Sequence, residues 1–176
     1  MTGKEFINSL ANGKLDIIQV LLDILDETHS RYCLIGGLAV NAYVEPVVSL
    51  DLDIVAAVED VDAICSKALE QGLRAERFEH SVNVSSKDSD LRIQLQTDPR
   101  YQEFIPHAET REVLGYKMKV ANLRDVLQGK AWAYMDTQRR RSKRQKDLAD
   151  ILRIVEAFPE LSATLPEKLK EALDKE

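Results

Sequence analysis

Two aspartates separated by one residue, Asp51 and Asp53, are the side chains of this sequence best suited to chemistry. Alternate side chains of an extended strand point to the same face, so the two carboxylates should project together while Leu52 and Ile54 enter a core. Neighbouring carboxylates repel each other unless a cation lies between them. A divalent metal such as Mg²⁺, bound through carboxylate oxygens and the phosphates of a nucleotide, would neutralise both carboxylates. The spacing therefore predicts a metal site on this strand.

A pair of glycines, Gly36 and Gly37, ends an apolar run, and thirteen residues separate Gly37 from Asp51. Glycine lets the backbone approach a ligand closely, and the N–H groups at the start of a following helix favour an anion such as phosphate. A strand-to-helix turn also needs glycine for conformational reasons alone, so the pair by itself does not decide between the two roles. Ser49 adds a hydroxyl on the alternating face of Asp51 and Asp53, and this combination favours phosphate binding.

The elements that must position these residues follow from the apolar pattern. Apolar residues recur at three- and four-residue spacing over 14–28, which is typical of an amphipathic helix. The apolar run 32–35 predicts a buried strand, and the glycine pair then leads into a short helix. The same criteria predict a strand at 50–58, a helix at 60–71, strands at 81–85, 91–97 and around Gly115, and helices at 123–136, 143–158 and from about 166.

This order predicts an α/β (α+β) fold in which a small mixed sheet is flanked by helices, with a C-terminal helical portion. At 176 residues the chain is long enough to bury a substantial core. We expect an α/β core over residues 1–121 and a helical portion over 122–176 that packs on it, forming one compact domain.

The composition is 44% apolar and 31% charged, which is ordinary for a globular protein. No stretch approaches the roughly 20 apolar residues of a membrane-spanning helix, and the first residues do not form an apolar secretion segment. We therefore expect a cytoplasmic protein without a membrane partner. The net charge of −6 argues against broad coating of nucleic acid, although a local basic patch would still bind phosphate.

The cysteines and histidines do not predict a metal site of their own. Cys33 falls in a predicted strand and Cys65 in a predicted helix, so we expect two buried free thiols. The three histidines are scattered without the spacing of zinc ligands.

From residue 32 to residue 155 the chain resembles the nucleotidyltransferase superfamily of DNA polymerase β. The signature of that superfamily is a hydrophobic residue, Gly, Gly or Ser, a spacer of about this length, and then Asp-hydrophobic-Asp-hydrophobic. More narrowly, the Gly-Gly and Asp-Leu-Asp motifs, together with the late Lys-Asp-Leu-Ala-Asp segment at 146–150, resemble minimal nucleotidyltransferases of the AbiEii/AbiGii type. That group includes toxins of toxin–antitoxin systems.

The resemblance implies a nucleotidyltransferase fold in which Asp51 and Asp53 hold Mg²⁺ (or Mn²⁺). The metal would orient the triphosphate of an NTP for attack by an acceptor hydroxyl. By the same resemblance, Gly36 and Gly37 position the phosphates, and Ser49 contacts a phosphate or supports the metal site. The alternative is that the two aspartates are solvated strand residues.

The third acidic residue of the family pattern is missing. Members with a complete triad place another Asp or Glu between hydrophobic residues on a nearby strand, and Gln94 stands at the matching position. An amide cannot act as a carboxylate base, although its carbonyl oxygen binds metals weakly. An arginine that often stands two residues before the serine is replaced by Val47. Catalysis with two acids, rescue by another residue and an inactive nucleotide binder are the three alternatives.

Two residues of the predicted C-terminal helices are candidates for that rescue. Lys130 shares a helical face with Val126 and Leu127, so its ammonium must find an anion near the core or reach past it to solvent. The family position implies that Lys130 binds nucleotide phosphate. Asp147 then orients Lys130, binds the metal indirectly or serves as the base; otherwise it forms an exposed pair with Lys143. The pattern does not decide whether Asp150 has a role.

Residues 139–146 form a basic run between two predicted helices. Such runs are either solvated helix ends or surfaces that bind phosphate, here a transfer RNA end or the triphosphate itself. The neighbouring Trp132 and Tyr134 do not form a continuous stacking platform, so the pattern does not predict sequence-specific RNA binding.

The leading hypothesis is a Mg²⁺-dependent nucleotidyltransferase that moves a nucleoside monophosphate from an NTP to a macromolecular acceptor. For a toxin-like protein, the acceptor is a transfer RNA 3′ end or a protein hydroxyl, and the partner is a cognate antitoxin or toxin. The alternative is a catalytically degenerate nucleotidyltransferase fold that serves as a binding or antitoxin module, with Gln94 as its main support. A third interpretation is a structural α/β domain in which the two motifs coincide by chance.

Overall fold

The computed structural model describes residues 1–175. Its α-helices, in chain order, are α1 (Gly3–Leu10), α2 (Ile17–Glu27), α3 (Gly36–Val40), α4 (Val61–Glu70), α5 (Pro99–Gln102), α6 (Leu123–Met135), α7 (Arg141–Ala157) and α8 (Glu167–Leu173). Its strands are β1 (Tyr32–Ile35), β2 (Asp51–Ala56), β3 (Arg74–Arg77), β4 (Ser81–Ser86), β5 (Ser89–Gln96), β6 (Glu109–Val113) and β7 (Tyr116–Val120). Short 3₁₀ turns lie at Val58–Asp60, Ile105–His107 and Pro159–Thr164.

Within residues 1–175 the strands form a seven-stranded mixed sheet in the order β3-β4-β5-β2-β1-β7-β6. The central strand β2 runs antiparallel to β1 and parallel to β5. Antiparallel hairpins β3–β4–β5 and β6–β7 form the two sides of the sheet. Helices flank this sheet, which confirms the predicted mixed α/β fold class.

The core forms where the apolar stripes of the helices meet the sheet. Asp16 caps α2 by accepting a hydrogen bond from the backbone N–H of Gln19, and the apolar stripe of α2 is buried. Cys33 on β1 and Cys65 on α4 are buried free thiols, as predicted.

Gly115 corrects one predicted element. The sequence predicts a strand around this glycine, but Leu114 (φ 52°) and Gly115 (φ 83°) both adopt the left-handed conformation. Two consecutive residues of this kind form the tight turn that matches the twist of a hairpin, so the chain reverses here between β6 and β7. The apolar pattern predicts neither α1, which Thr2 and Glu5 begin with a capping box, nor the exposed strand β3.

The C-terminal helices α6 and α7 share the hydrophobic core of the sheet. Val126 and Ala131 of α6 and Ile151 and Ile154 of α7 are buried in the same cluster as the strand residues. The division into 1–121 and 122–176 stays a prediction. Within the described residues, no helix has both the length and the apolar character needed to cross a membrane.

Candidate functional site

Asp51 and Asp53 lie on the central strand of the sheet, with Leu52 and Ile54 buried beneath them on the other face. The parallel register with β5 sets Arg92 opposite Asp51 and Gln94 opposite Asp53. Residues directly opposite each other on neighbouring strands have adjacent side chains. The position nearest to Asp53 on the neighbouring strand is therefore occupied by an amide rather than a third carboxylate.

The row that starts with Asp53 and Gln94 continues across the sheet to Asn83 on β4 and Glu76 on β3. These side chains line a cavity of about 440 Å³, together with Arg139 and Lys143 from the helical side, among others. The carboxylate pair thus lies at one end of a polar trough on the open face of the sheet.

Both carboxylate oxygens of Asp51 are bound by cations from other parts of the chain. Lys143 in the first turn of α7 donates to Oδ2 at 2.7 Å, and Nε of Arg92 lies 2.7 Å from Oδ1. Burial alone would raise the pKa of Asp51, but the hydrogen bond and charge of Lys143, with the charge of Arg92, bring it below its ordinary value. Asp51 is therefore held in its ionised form.

Asp53 lies against Gly36 at the start of α3. The backbone of Gly36 has φ +74°, and a Cβ at this position would lie 2.5 Å from Oδ2 of Asp53. Burial raises the pKa of Asp53 against the opposing charge of Lys130. The glycine therefore makes room for this carboxylate, a role that the sequence analysis does not assign to it.

Ser49 is buried just before β2, and its hydroxyl accepts a hydrogen bond from the backbone N–H of Asp51 at 3.2 Å. The loop that leads to Ser49 is fixed by Asn41, whose side-chain amide donates to the carbonyl of Val47 (2.7 Å) and accepts from its N–H (2.9 Å). The side chains of Asn41 and Ser49 thus fix the chain that leads into β2.

Lys130 is buried between two aspartates of α7. Its ammonium lies 3.0 Å from Oδ1 of Asp147 and 2.6 Å from Oδ2 of Asp150, and its side chain is 9% exposed. Burial opposes the charged form, but the two aspartates outweigh this effect and raise the pKa of Lys130. The predicted alternative of an exposed pair between Lys143 and Asp147 is wrong, because Lys143 contacts Asp51 instead.

Two arginines extend this cluster. Arg139 donates to Oδ2 of Asp147 at 2.7 Å, and Arg153 donates to Oδ1 of Asp150 at 2.8 Å. Arg153 also donates to the side-chain carbonyl of Asn41 at 3.2 Å and to the backbone carbonyl of Glu45. The cluster thereby connects α6 and α7 to the loop that precedes the carboxylate strand.

Gly37 belongs to the same region, since a Cβ on this residue would lie 3.6 Å from Oδ2 of Asp150. The structure therefore brings the two glycines, the two strand aspartates, Lys130 and the acids of α7 to one place. The interpretation that the two motifs coincide by chance predicts no such convergence. Arg92, Arg153 and Asn41 are the contributors that the sequence analysis misses, and their types and spacing carry no local signal.

The donor set of this site fits Mg²⁺. Mg²⁺ in enzymes of nucleotides is held by one or two carboxylates, with substrate phosphates and waters as its other ligands. Asp51 and Asp53 supply two such carboxylates on one face, and the absence of a side chain at Gly36 lets the carboxylate of Asp53 take its place there. Residues 1–175 contain no group of three or more His, Cys, Asp or Glu side chains that could hold a metal.

A larger cavity, of about 860 Å³, lies elsewhere, between α2, β7 and the 3₁₀ turn at Ile105–His107. Its walls mix lysines with Asp23 and Asp26, and the carboxylates of β2 do not line it. The position of the strand acids, rather than cavity size, therefore identifies the candidate site.

No protein-family model matches the sequence, and no curated protein sequence matches it either. Solved structures do resemble the fold. ANT(2″)-Ia in complex with adenylyl-2″-tobramycin has a TM-score of 0.64 and 13% identity, covering 90% of this chain and 95% of that one. The lincosamide antibiotic adenylyltransferase LnuA, bound to lincomycin, has a TM-score of 0.56 and 11% identity, covering 81% of this chain and 98% of that one.

An antigenic nucleotidyltransferase-like protein from Paracoccidioides brasiliensis has a TM-score of 0.52 and 16% identity, covering 96% of this chain and 92% of its own. At these identities the likeness concerns the arrangement of helices and strands rather than any particular substrate. The sheet that carries Asp51 and Asp53 is therefore that of the nucleotidyltransferase fold.

Proposed function

We propose that the protein is a Mg²⁺-dependent nucleotidyltransferase that moves a nucleoside monophosphate from an NTP to an acceptor hydroxyl. The observation that carries this proposal is the pair of carboxylates on the central strand of a nucleotidyltransferase fold, surrounded by basic side chains. Carboxylates for a metal and cations for phosphates are the two requirements of phosphoryl-group chemistry.

In this proposal Asp51 and Asp53 hold Mg²⁺ (or Mn²⁺). The bound metal supplies positive charge to the reacting phosphates. Gly36 accommodates the carboxylate of Asp53, Gly37 lies beside Asp150, and Ser49 accepts a hydrogen bond from the backbone of Asp51.

Lys130 and Asp147 act together in the proposed site. Both oxygens of Asp147 are engaged, one with Lys130 and the other with Arg139, which favours an orienting role over that of a base. An ammonium has three N–H donors, and Asp147 and Asp150 take two of them. In this proposal the third donates to a phosphate of the nucleotide, while the charge of Lys130 opposes the effect of burial on the pKa of Asp53.

The proposed reaction is an in-line displacement. The acceptor oxygen forms a bond to the α-phosphorus, and the bond from that phosphorus to the oxygen bridging to the β-phosphate breaks. The electron pair of the broken bond leaves with pyrophosphate, and the hydroxyl proton passes to water. The amide of Gln94 can accept a hydrogen bond from the attacking hydroxyl but cannot take its proton.

The acceptor and the biological role rest on the AbiEii/AbiGii resemblance. We propose a macromolecular acceptor, either a transfer RNA 3′ end or a protein hydroxyl, in a cytoplasmic toxin–antitoxin pair with a cognate antitoxin or toxin. A small hydroxylated acceptor is the alternative suggested by neighbours whose structures contain adenylyl-2″-tobramycin and lincomycin.

The test is transfer of radiolabel from each of the four α-labelled NTPs into a whole-cell lysate, separated into RNA, protein and small-molecule fractions. Wild type should label one fraction with one preferred nucleotide, and Asp53→Asn should not. Asp90→Asn, an exposed aspartate on β5, is the matched control and should label normally. Equal labelling by wild type and folded Asp53→Asn, or by neither, would contradict the proposal.

The second candidate is a degenerate fold that binds nucleotide or a partner protein without catalysis. The observation that favours it is Gln94, which lies opposite Asp53 on β5. Calorimetry separates the two candidates in part, because a module that binds only a partner protein should bind no NTP in a metal-dependent way. Stable co-purification with a partner protein, without label transfer, would favour the second candidate.

A further inference from the structure

Asp51 is bound by two cations that the chain brings from far away. Lys143 is 92 residues distant in sequence, and Arg92 comes from the neighbouring strand. The side chain of Asp51 is 22% exposed, whereas those of Lys143 and Arg92 are 36% and 71% exposed. Ion pairs of such exposed side chains contribute little to stability, so a folding role does not account for the arrangement.

A metal at Asp51 must compete with these two cations. Each carboxylate oxygen already faces a basic nitrogen at 2.7 Å, and a divalent ion placed there would repel both charges. At least one of the two side chains must therefore leave its oxygen when the metal arrives. Both side chains line the same cavity as Asp53, so a released side chain would stay close to the site.

Three other basic side chains nearby are already engaged elsewhere. Arg139 binds Asp147, Arg144 donates to the backbone carbonyl of Tyr134 at 2.7 Å, and Arg153 binds Asp150. Each of these partners would remain in place after metal binding at Asp51. Metal binding therefore releases Lys143, Arg92 or both.

We infer that Lys143 and Arg92 are ligands of the donor triphosphate, held beside the site by Asp51 until a metal takes that carboxylate. This inference rests on the proposed function, because it assigns phosphate-binding residues to the same site. The triphosphate that accompanies the metal is the nearest new anion for the released side chains, and lysine and arginine both bind phosphate through charge-assisted hydrogen bonds.

The inference predicts that removing Lys143 has opposite effects on metal and on phosphate. Without its competitor, Asp51 of Lys143→Met should bind Mn²⁺ alone several-fold more tightly than wild type does. Without its ligand, the triphosphate should bind roughly tenfold more weakly, as expected for a lost hydrogen bond between charged groups. A residue that only supports Asp51 would weaken both.

Calorimetry tests this with two probes, Mn²⁺ alone and inorganic tripolyphosphate with Mn²⁺, which does not depend on the unidentified base. Arg92→Met, on the exposed face of β5, is the second variant, and circular dichroism checks that both are folded. Arg124→Met is the matched control, since it removes an exposed positive charge in the first turn of α6, outside the basic run. It should leave both affinities close to wild type.

The inference is supported if Lys143→Met and Arg92→Met each bind Mn²⁺ more tightly and tripolyphosphate more weakly than wild type. Both affinities of the control should stay unchanged. Unchanged affinities in both folded variants overturn it while the proposed function stands, and so does a parallel loss of both affinities. A wild-type protein that binds neither probe overturns the inference together with the proposed function.

Discussion

The carboxylate of Asp53 occupies the space that any side chain at Gly36 would need. A Cβ at Gly36 would lie 2.5 Å from Oδ2 of Asp53 and 3.1 Å from its Cβ, at a backbone φ of +74°. Glycine is thus required twice here, once by the left-handed backbone and once by the neighbouring acid. The two requirements can be separated experimentally.

We predict that Gly36→Ala weakens Mn²⁺ binding because the new methyl group displaces Asp53. Gly72→Ala is the matched control: Gly72 has φ +79°, but nothing lies within 4 Å of its Cβ position. Both variants should lose about 1–2 kcal/mol of unfolding free energy to backbone strain, measured by urea denaturation. Only Gly36→Ala should lose affinity by calorimetry, and an equal loss in Gly72→Ala would refute the role of the contact.

Replacing Lys130 by methionine should destabilise the protein strongly. The substitution leaves Asp147 and Asp150 buried without their shared counter-ion, and breaking such a buried pair costs about 3–5 kcal/mol. Arg139→Met is the comparison, since this arginine is 38% exposed and its pair with Asp147 should contribute about 1 kcal/mol or less. Urea denaturation measures both, and similar losses would contradict the central position assigned to Lys130.

Gln94→Glu should strengthen Mn²⁺ binding. The new carboxylate would stand opposite Asp53 on β5 and would add a third acid beside the strand pair. Asn83→Asp adds the same charge in the same row but one strand further from Asp53. Calorimetry should show a gain of roughly tenfold for Gln94→Glu, the typical value of a charged ligand, and a smaller one for Asn83→Asp. Equal gains would mean that only overall charge matters.

The Cys33 thiol should make the protein lose stability in alkali. Burial raises its pKa to about 12, whereas the unfolded thiol has a pKa of about 9. Above about pH 9 the unfolded chain releases a proton that the folded chain keeps, so the unfolding free energy falls as pH rises towards 12. The decrease should approach about 1.4 kcal/mol per pH unit.

Comparison with Cys33→Ala isolates this effect, because the other titrating groups are common to both proteins. Urea denaturation at several alkaline pH values should give the variant a flatter dependence on pH. If the unfolding free energies of the two proteins fell in parallel as pH rises, folding would not change the pKa of Cys33 and the prediction would be wrong.

The sequence predicts the local part of the site well. Alternation within a strand depends only on neighbouring residues, so the shared face of Asp51 and Asp53 and the burial of Leu52 follow directly from their spacing. The amphipathic pattern of α2 and the glycine-marked end of β1 are local in the same sense. These signals are sufficient for the mixed α/β fold class.

The partners of the two aspartates could not be predicted in this way. Arg92 reaches Asp51 because β5 pairs with β2 in one particular register, and Lys143 reaches it because α7 packs across the sheet. Such contacts depend on tertiary packing, which the spacing of residues does not encode. Strand β3 was missed for a related reason, since its residues Arg-Ala-Glu-Arg are almost entirely polar and exposed at the sheet edge.

The cluster of ion pairs around β2 also has a consequence for how fast the nucleotide of the proposed function would bind. Five basic side chains surround four aspartates, so this region is positive by one charge in a protein of net charge −6. A nucleotide triphosphate is therefore repelled by the surface as a whole and attracted only within roughly a Debye length, about 8 Å at physiological salt. Moderate salt should first accelerate association by screening the distant repulsion and should slow it only when the local attraction is screened as well.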